Sequence, residues 1–415
     1  MSTSVPTILD ASERIEEETF RWYTPTRFYP VKLRDVFQSR YEVLSKLGYG
    51  SCSTAWLCRD LRKPKYVAVK VCISNYPSVE RERAAYEHIR KIISSQPVGA
   101  DVVRTSIDEF ELSGAEGPHH CFVFEPLTLD LVHTREVLGD LFDESVFKVI
   151  TVHVLRALDF LHTKARMVHG DIRAENFFLR GTDDAPCRSL EAMEREDPSP
   201  RKVDGDRVIY TNHRQIGYTD PRKYGVPVLC DFGEAYFGKE TYEVEIQPFH
   251  YRAPEVILAI PWGVSADIWN VGLMLWELFQ RQPLMTASDT DGSRPNVLNH
   301  LAEMIALMGL PPTTFLHRSP ADVRGEVFDE DGQWLLHKSN PIPRLSLDQS
   351  EIALKGVGRD NTGFLRFMQR ILQWEPEKRP TAAELLKDPW LAGVKVSSRL
   401  FPQERALVHT HVERT

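Results

Sequence analysis

The sequence lacks a long hydrophobic run, paired cysteines and an excess of basic charge. Its apolar runs fall short of the roughly 20 residues that a membrane-spanning helix needs, so we expect no membrane anchor. The first residues show no basic stretch followed by an apolar one, which argues against a secretory signal peptide. The formal net charge of −8 argues against direct binding of nucleic acid and permits a basic protein partner.

Cysteine is scarce and scattered. The six cysteines include no C-x-x-C pair, which is typical of a reduced intracellular protein with small buried thiols. A chain of 415 residues with ordinary shares of apolar and charged residues can bury a sizeable core. We therefore expect a globular protein of the cytoplasm or nucleus, and we expect it to be a monomer.

A catalytic loop is indicated by residues 169–176, which read HGDIRAEN. Asp171 and Asn176 lie five residues apart, with apolar stretches on both sides. At this spacing the carboxylate can accept a proton from an attacking hydroxyl, and the amide can hold a metal ion that bridges phosphates. An isolated histidine is more often a core hydrogen-bonding group than a base, so we expect a scaffold role for His169.

A glycine-rich turn lies between two predicted strands, at 41–47 and 54–58. Gly48 and Gly50 allow backbone N–H groups to approach phosphate oxygens, because no Cβ intervenes. Ser53 stands where a G-x-G-x-x-G motif has its third glycine. A dinucleotide-binding turn needs a helix after the loop, so a strand there argues against that class. A plain hairpin turn is the alternative.

Lys70 lies inside the β-branched run YVAVKV. A lysine in a buried strand is costly unless it is paired, so we predict that it contacts phosphates and pairs with a glutamate of the next helix. That helix is predicted over residues 78–93, where the apolar periodicity favours Glu82 as the partner and leaves Glu87 possible. The alternative is an edge-strand lysine whose head reaches solvent.

A further strand, at residues 121–127, breaks at a proline where two lobes would join. Backbone groups of Glu125 and Leu127 would face a purine edge, and Phe124 would close the pocket behind them. A core strand that ends in a turn fits the same residues.

A hydrophobic strand leads into Asp231-Phe232-Gly233, where Asp231 is predicted to coordinate Mg²⁺. A surface-turn aspartate is the alternative. The tripeptide Ala253-Pro254-Glu255 follows, and we expect Glu255 to form a structural ion pair with Arg379.

Taken in this order, the motifs resemble a eukaryotic-type protein kinase over residues 41–391. The resemblance implies an α+β, bilobal protein-kinase fold, with a small β-rich lobe that carries one main helix, a larger helical lobe and ATP in the cleft. The prolines and charges of residues 181–225 predict a surface insert that is partly mobile and not catalytic. The expected divisions are a leader at 1–40 that packs on the domain, the small lobe at 41–126, the large lobe at 127–392 and a tail at 393–415.

The chain is similar to the SR-protein kinases in particular. Their entry into the kinase domain resembles YPVKLRDVF at 29–37 and KLGYGSCSTAWL at 46–57. That family phosphorylates serines in Arg-Ser-rich proteins, so the resemblance implies a basic protein substrate. The family also has a small residue at the position of Gly170, where other kinases carry an arginine that binds a phosphorylated loop residue. This implies activity without phosphorylation at Thr241 or Tyr242.

Two positions and one region depart from the pattern. Arg173 replaces a lysine that would contact the transferred phosphoryl group, which keeps the charge but changes reach and geometry. Ala55 replaces a valine above the adenine. The acidic residues expected of a docking groove for arginines are sparse, with Asp289, Asp291 and residues 329–331 present.

The resemblance implies an ATP- and Mg²⁺-dependent serine/threonine protein kinase. One rival class is a pseudokinase, or nucleotide-binding scaffold. Another is a small-molecule kinase, and the APE motif with the long segment before it argues against that class. The implied site residues are Asp171, Arg173, Lys70 and Glu82 for catalysis, Asn176 and Asp231 for metal, and Leu47, Gly48, Tyr49, Gly50, Ser51, Ser53, Ala55, Ala68, Lys70, Phe124, Glu125 and Leu127 for the nucleotide.

Overall fold

The computed structural model describes residues 5–400 apart from 96–98, 100, 140–141, 213–216, 289–295 and 398. Asp289, Asp291 and tail residues 401–415 therefore lie outside the described part. Among the described residues, no helix combines the length and the apolar character that crossing a membrane requires. The molecule has the bilobal α+β architecture that the motifs predicted.

The smaller lobe is built on a six-stranded antiparallel sheet in the order β1-β2-β3-β4-β6-β5. Three short two-stranded sheets, β8–β11, β7–β12 and β9–β10, lie elsewhere in the described chain. The strands are β1 Val36–Phe37, β2 Tyr41–Gly50, β3 Ser53–Asp60, β4 Lys65–Cys72, β5 Asp108–Gly114, β6 Gly117–Phe124, β7 Met167–Val168, β8 Phe177–Gly181, β9 Arg201–Asp204, β10 Arg207–Tyr210, β11 Tyr224–Leu229 and β12 Tyr236–Phe237.

Strand β4 shows why the lysine-bearing run is so apolar. Successive side chains of a strand point to opposite faces. Val67, Val69 and Val71 are buried in a cluster on the outer face of the sheet, whereas Ala68 belongs to the main core on the opposite face. Lys70 shares the face of Ala68 and therefore points into the space between the lobes.

The larger lobe is helical and packs around α3 and α6. Helix α6 is apolar nearly all round, and most of its residues are buried, as expected of a helix inside a core. The helices are α1 Pro77–Ser95, α2 Leu131–Leu138, α3 Glu144–Asp159, α4 Ala185–Glu196, α5 Pro254–Ile257, α6 Ser265–Gln280, α7 Val297–Met308, α8 Thr313–Leu316, α9 Ala321–Gly325, α10 Leu347–Ser350, α11 Thr362–Ile371 and α12 Ala382–Leu385.

The described part of residues 181–225, the predicted surface insert, contains regular secondary structure. It forms helix α4 and the hairpin β9–β10, which pack on different faces of the sheet. Tyr210 of β10 belongs to the cluster on the outer face, whereas α4 packs on the face that carries Ala68 and Lys70. Cys187 and Leu190 of α4 pack on Leu44 and Leu57 of the sheet. These apolar side chains lie on one helix face, so α4 is stabilised by burial against a neighbour that is distant in sequence.

The leader packs on the outer face and joins the hairpin β9–β10 to the sheet through charges. Lys46 of β2 is 1% exposed and pairs with Glu17 of the leader, while Lys202 of β9 pairs with Glu18 at 2.6 Å. The Nζ of Lys46 also donates to the backbone oxygen of Tyr210, at 3.0 Å. We call this assembly of leader, hairpin β9–β10 and outer sheet face the outer shell.

Candidate active site

The lysine of β4 lies between two carboxylates. Its Nζ is 2.7 and 2.9 Å from the two carboxylate oxygens of Glu82 and 3.2 Å from Oδ1 of Asp231. Glu87, the alternative partner, is exposed and instead pairs with Lys91 one turn along α1. Burial opposes the charge of Lys70, but the two carboxylates outweigh it and hold its pKa well above the ordinary value. Lys70 is therefore a fixed positive charge in the cleft.

The catalytic loop brings Asp171 and Asn176 together. The side-chain nitrogen of Asn176 donates to the backbone oxygen of Asp171 at 2.8 Å and to its Oδ2 at 2.9 Å. This arrangement leaves the amide oxygen of Asn176 as the atom that could bind a cation. Oδ1 of Asp171 is buried and has no hydrogen-bond partner among the described residues. An unpaired buried carboxylate oxygen is costly, and an incoming hydroxyl would satisfy it.

The backbone before Asp171 is held by hydrogen bonds to a side chain of α6. Asp267 of α6 accepts hydrogen bonds from the backbone N–H groups of His169 at 2.8 Å and Gly170 at 3.0 Å. The ring of His169 lies 3.1 Å, through Nε2, from the backbone oxygen of Cys230. His169 is fully buried, and these contacts fit the predicted scaffold role.

Gly170 occupies a position that only glycine fits. Its φ is +79°, in the left-handed region. A Cβ built there would lie 2.5 Å from the backbone oxygen of Glu234. A larger side chain at position 170 would therefore require the two loops to shift apart.

The Asp-Phe-Gly motif is turned so that Asp231 faces Lys70. Asp231 has φ +63°, and the buried ring of Phe232 contacts the rings of Tyr86 and His169, with centroids 5.4 and 5.1 Å apart. Desolvation by the cleft walls opposes ionisation of Asp231, but the Lys70 ammonium outweighs it, so the pKa of Asp231 lies below its ordinary value. Asp231 is thus a carboxylate at neutral pH and can bind a cation.

The pKa of Asp171 lies above its ordinary value, opposite to the shift at Asp231. Burial raises the pKa of its carboxyl, with a further contribution from Asp231, although His169, Arg173 and Asn176 act against it. Arg173 forms a two-point contact with Glu175, at 3.1 and 3.0 Å. The two cleft aspartates therefore differ in basicity, which suits one of them to proton transfer and the other to metal binding.

The glycine turn leaves room for a ligand. Gly48 and Gly50 have ordinary backbone angles, and a Cβ built on Gly48 would meet no atom within 4 Å. The protein's own packing therefore does not require a glycine at 48, and the empty space suits close approach of phosphates to the backbone. Tyr49 and Ser51 at the turn are exposed, whereas Ser53 is buried.

The residues predicted around the adenine converge on one side of the sheet. Ala55 pairs with Lys70 across β3 and β4, and Ala68 pairs with Phe124 across β4 and β6. Phe124 is 2% exposed, and Leu47 is packed at the edge of the main core. Glu125 and Leu127 follow directly, on the segment that joins the lobes.

Sequence reasoning missed Arg104 in this pocket. Its guanidinium lies 4.2 Å from the ring centroid of Phe124 and donates to the backbone oxygen of Glu125 at 3.1 Å. No motif marks Arg104, since it enters through an isolated bridge between Val103 and Leu229. Only the tertiary structure shows that it supports the segment between the lobes.

The predicted structural ion pair is confirmed. Arg379 donates to both carboxylate oxygens of Glu255 at 2.7 Å, and both side chains are fully buried. The pair fixes the end of the activation segment, which we define as residues 231–255, to the base of the large lobe.

Comparisons with known proteins agree with this geometry. A model of the protein kinase domain matches residues 41–191 and 216–391. A serine/threonine protein kinase of Aspergillus fumigatus is 40% identical over 388 residues, covering 92% of each chain. The serine/threonine-protein kinase SRPK of Physarum polycephalum is 29% identical, covering 91% of this chain and 92% of the relative. Human SRSF protein kinase 3 is 25% identical, with 94% of each chain covered.

The solved structures agree in fold. The crystal structure of a kinase domain superposes with a TM-score of 0.63 at 24% identity, and covers 88% of this chain and 99% of that one. Protein kinases, whose domain model this chain matches, use ATP and a divalent metal ion, and the cleft offers a suitable lysine, amide and carboxylate. The chain belongs to the protein kinase family.

Proposed function

We propose that this kinase transfers the γ-phosphate of ATP to serine or threonine in basic, Arg-Ser-rich proteins, with Mg²⁺ as its metal. The observation that carries the proposal is the convergence of Lys70, Asp171, Asn176 and Asp231 on one cleft. The buried, unpartnered oxygen of Asp171 also fits an enzyme that awaits a hydroxyl. A scaffold that only binds nucleotide would have no need of this costly group.

Each residue has a distinct part in the reaction. Lys70, held by Glu82, would orient the phosphates, and Asn176 and Asp231 would hold Mg²⁺. The bound metal supplies charge neutralisation at the phosphates. Asp171 would align the hydroxyl and accept its proton, while Arg173 would steady the transferred group. Most of the acceleration would come from positioning and from charges fixed in advance.

Two observations support a basic substrate. Relatives across nearly the whole chain are named SRPK and SRSF protein kinase. In addition, the activation segment carries the exposed glutamates Glu240, Glu243 and Glu245, so its surface is acidic where a substrate peptide would lie. Glu245 shares its charge with Arg252, at 2.7 Å, which leaves two carboxylates more freely available.

We further propose activity without loop phosphorylation. The end of the activation segment is held by a neutral side chain. The Gln247 amide donates to the oxygen of Ala266 at 3.0 Å and accepts from the N–H of Ala253 at 2.8 Å. The Gln247 backbone oxygen accepts from Arg252 at 3.3 Å. With glycine at 170, a phosphorylated residue would lack its usual arginine partner, and this network does not need one.

The test is a phosphotransfer assay with dephosphorylated protein, Mg-ATP and an Arg-Ser repeat peptide. A Lys-Ser peptide of the same length is the matched substrate, because lysine keeps the charge and loses the planar donor fork. We expect transfer to the Arg-Ser peptide at the higher kcat/KM. ATP binding without transfer to either peptide would favour the nucleotide-binding scaffold, and equal rates on both would overturn the arginine preference alone.

A further inference from the structure

Helix α1 contacts the first residues of the activation segment through the residue next to Glu82, the partner of Lys70. Arg81 precedes Glu82 in α1 and donates to the carboxylate of Glu234 at 2.6 Å. Its guanidinium also lies 4.8 Å from the ring centroid of Tyr236. Arg81 therefore makes a charged and an aromatic contact with the two residues that frame Ala235, just after the Asp-Phe-Gly motif.

A second contact lies two turns further along the same helix. Residues seven apart in a helix share a face, so His88 lies on the side of Arg81. Its ring stacks on Phe237 with centroids 4.6 Å apart and an interplanar angle of 13°. Its Nε2 lies 2.8 Å from the backbone oxygen of Ala165. Two separate turns of α1 thus dock on β12 and on the turn before β7.

The docked strand leads directly to the catalytic loop. In the β12–β7 pair, Tyr236 lies opposite Val168, which precedes His169 in the chain. Glu234 itself passes so close to Gly170 that its backbone oxygen excludes a Cβ there. Helix α1 is therefore connected to the loop that carries Asp171 through one ion pair, one strand pair and one loop contact.

We propose that Arg81 is a positioning residue that holds α1, and with it Glu82, in the place where Lys70 is paired. In this chain the ion pair with Glu234 does the work that a phosphorylated loop residue does elsewhere. The inference rests on the proposed activity without loop phosphorylation. It assigns that activity to a contact at the start of the activation segment, separate from the Gln247 network at its end.

The experiment is a double-mutant cycle with Arg81→Gln and Glu234→Gln in the dephosphorylated full chain. Both groups are partly exposed, and such contacts contribute modestly, so we expect each single variant to lower kcat by about three- to tenfold. We expect KM for the peptide to stay within about twofold, because the peptide site is not altered. The double variant should be no slower than either single variant, since both remove one interaction.

Two further variants separate positioning from general destabilisation. Arg81→Lys keeps the charge and should recover part of kcat. Arg83→Gln removes an arginine of the same helix that pairs with Glu80 one turn away, and it should leave kcat unchanged. Wild-type kcat in Arg81→Gln, or additive losses in the double variant, would overturn the role of Arg81.

The two proposals fail in different ways. An inert dephosphorylated wild type that recovers on phosphorylation would overturn phosphate-independent activity. The cycle is then measured on the phosphorylated protein, where coupled losses support the positioning role of Arg81 and wild-type kcat in Arg81→Gln overturns it.

Discussion

Two lysines of one sheet, Lys70 in the cleft and Lys46 in the outer shell, both pair with glutamates, yet they differ in what else can reach them. The side chain of Lys70 is 15% exposed, and its second carboxylate, Asp231, is 48% exposed. Lys46 is 1% exposed and Glu17 is 6% exposed. The first pair opens onto solvent and the second is sealed.

The difference teaches that pairing and burial alone do not mark an active site. A sealed ion pair has all of its partners within the protein, so it can only influence stability and the uniqueness of the fold. An ion pair that is partly open to solvent can be reached by a ligand on its exposed side, and the ligand can balance its charge. We therefore expect changes in the cleft to alter turnover and changes in the shell to alter stability.

The largest effect is expected from Asp171→Asn. The amide keeps the shape of the side chain but cannot accept the proton, so kcat should fall by about 10²- to 10⁴-fold. ATP affinity and the melting temperature should be nearly unchanged, because Lys70 and Asp231 remain. Steady-state kinetics, nucleotide titration and thermal unfolding of one preparation test this. Unchanged turnover would remove Asp171 from the chemistry.

Lys46→Met should produce the reverse pattern. The change leaves Glu17 buried without its cation, which costs about 3–5 kcal/mol of unfolding free energy. Turnover at a temperature where the variant stays folded should remain near that of the wild type. The matched control is Lys46→Met with Glu17→Leu, which removes both charges of this pair. Glu16 lies 3.4 Å from Lys46 and still loses its cation, so the control should regain part of the loss. Full stability in the single variant would show that the shell is not held by this pair.

Gly170→Ala and Gly205→Ala compare how well the backbone of the cleft and of the outer shell tolerates an added Cβ. Both glycines have positive φ, +79° and +57°. A Cβ at Gly170 would meet the Glu234 oxygen, whereas a Cβ at Gly205, in the insert hairpin, would meet nothing within 4 Å. Gly205→Ala should cost only about 1 kcal/mol and leave activity intact. Gly170→Ala should cost about 1–3 kcal/mol more and also lower kcat, because the catalytic loop must shift.

Equal melting temperatures and equal turnover for the two alanine variants would contradict the close approach at Gly170. A loss of turnover in Gly205→Ala would contradict the assignment of the insert to stability.

The cleft could be predicted from sequence because its residues lie in motifs with fixed local spacing. The strand alternation of β4 and the period of α1 bring Lys70 and Glu82 to facing surfaces. The outer shell gave no such signal, because its ion pairs join Glu17 to Lys46 and Glu18 to Lys202 across long stretches of sequence. Charged residues in a leader usually lie in solvent, and here only the tertiary structure identifies their partners.

Arg81 and Arg104 show the same limit inside the kinase domain. Each is an ordinary arginine by sequence, and each gains its role from an aromatic ring and an oxygen that folding brings near. Helix α4 was missed for a related reason. Its apolar residues Cys187 and Leu190 are few and follow a proline, so the burial that stabilises the helix cannot be inferred from its own composition.

The smallest expected effect concerns the pH dependence of the cleft. Asp171 must be ionised to accept a proton, so kcat/KM should fall as the pH drops through its pKa, which burial raises above the ordinary value. Arg173 opposes that rise. Arg173→Gln should therefore move the acid limb of the kcat/KM–pH profile to higher pH, by on the order of one unit or less. Arg173→Lys should leave this limb nearly in place. The insert offers the control, Arg195→Gln on α4, whose exposed charge pairs with Glu196 and should not move the acid limb. If Arg173→Gln lowers kcat with the limb unmoved, Arg173 acts on the transferred phosphoryl group and not through the basicity of Asp171.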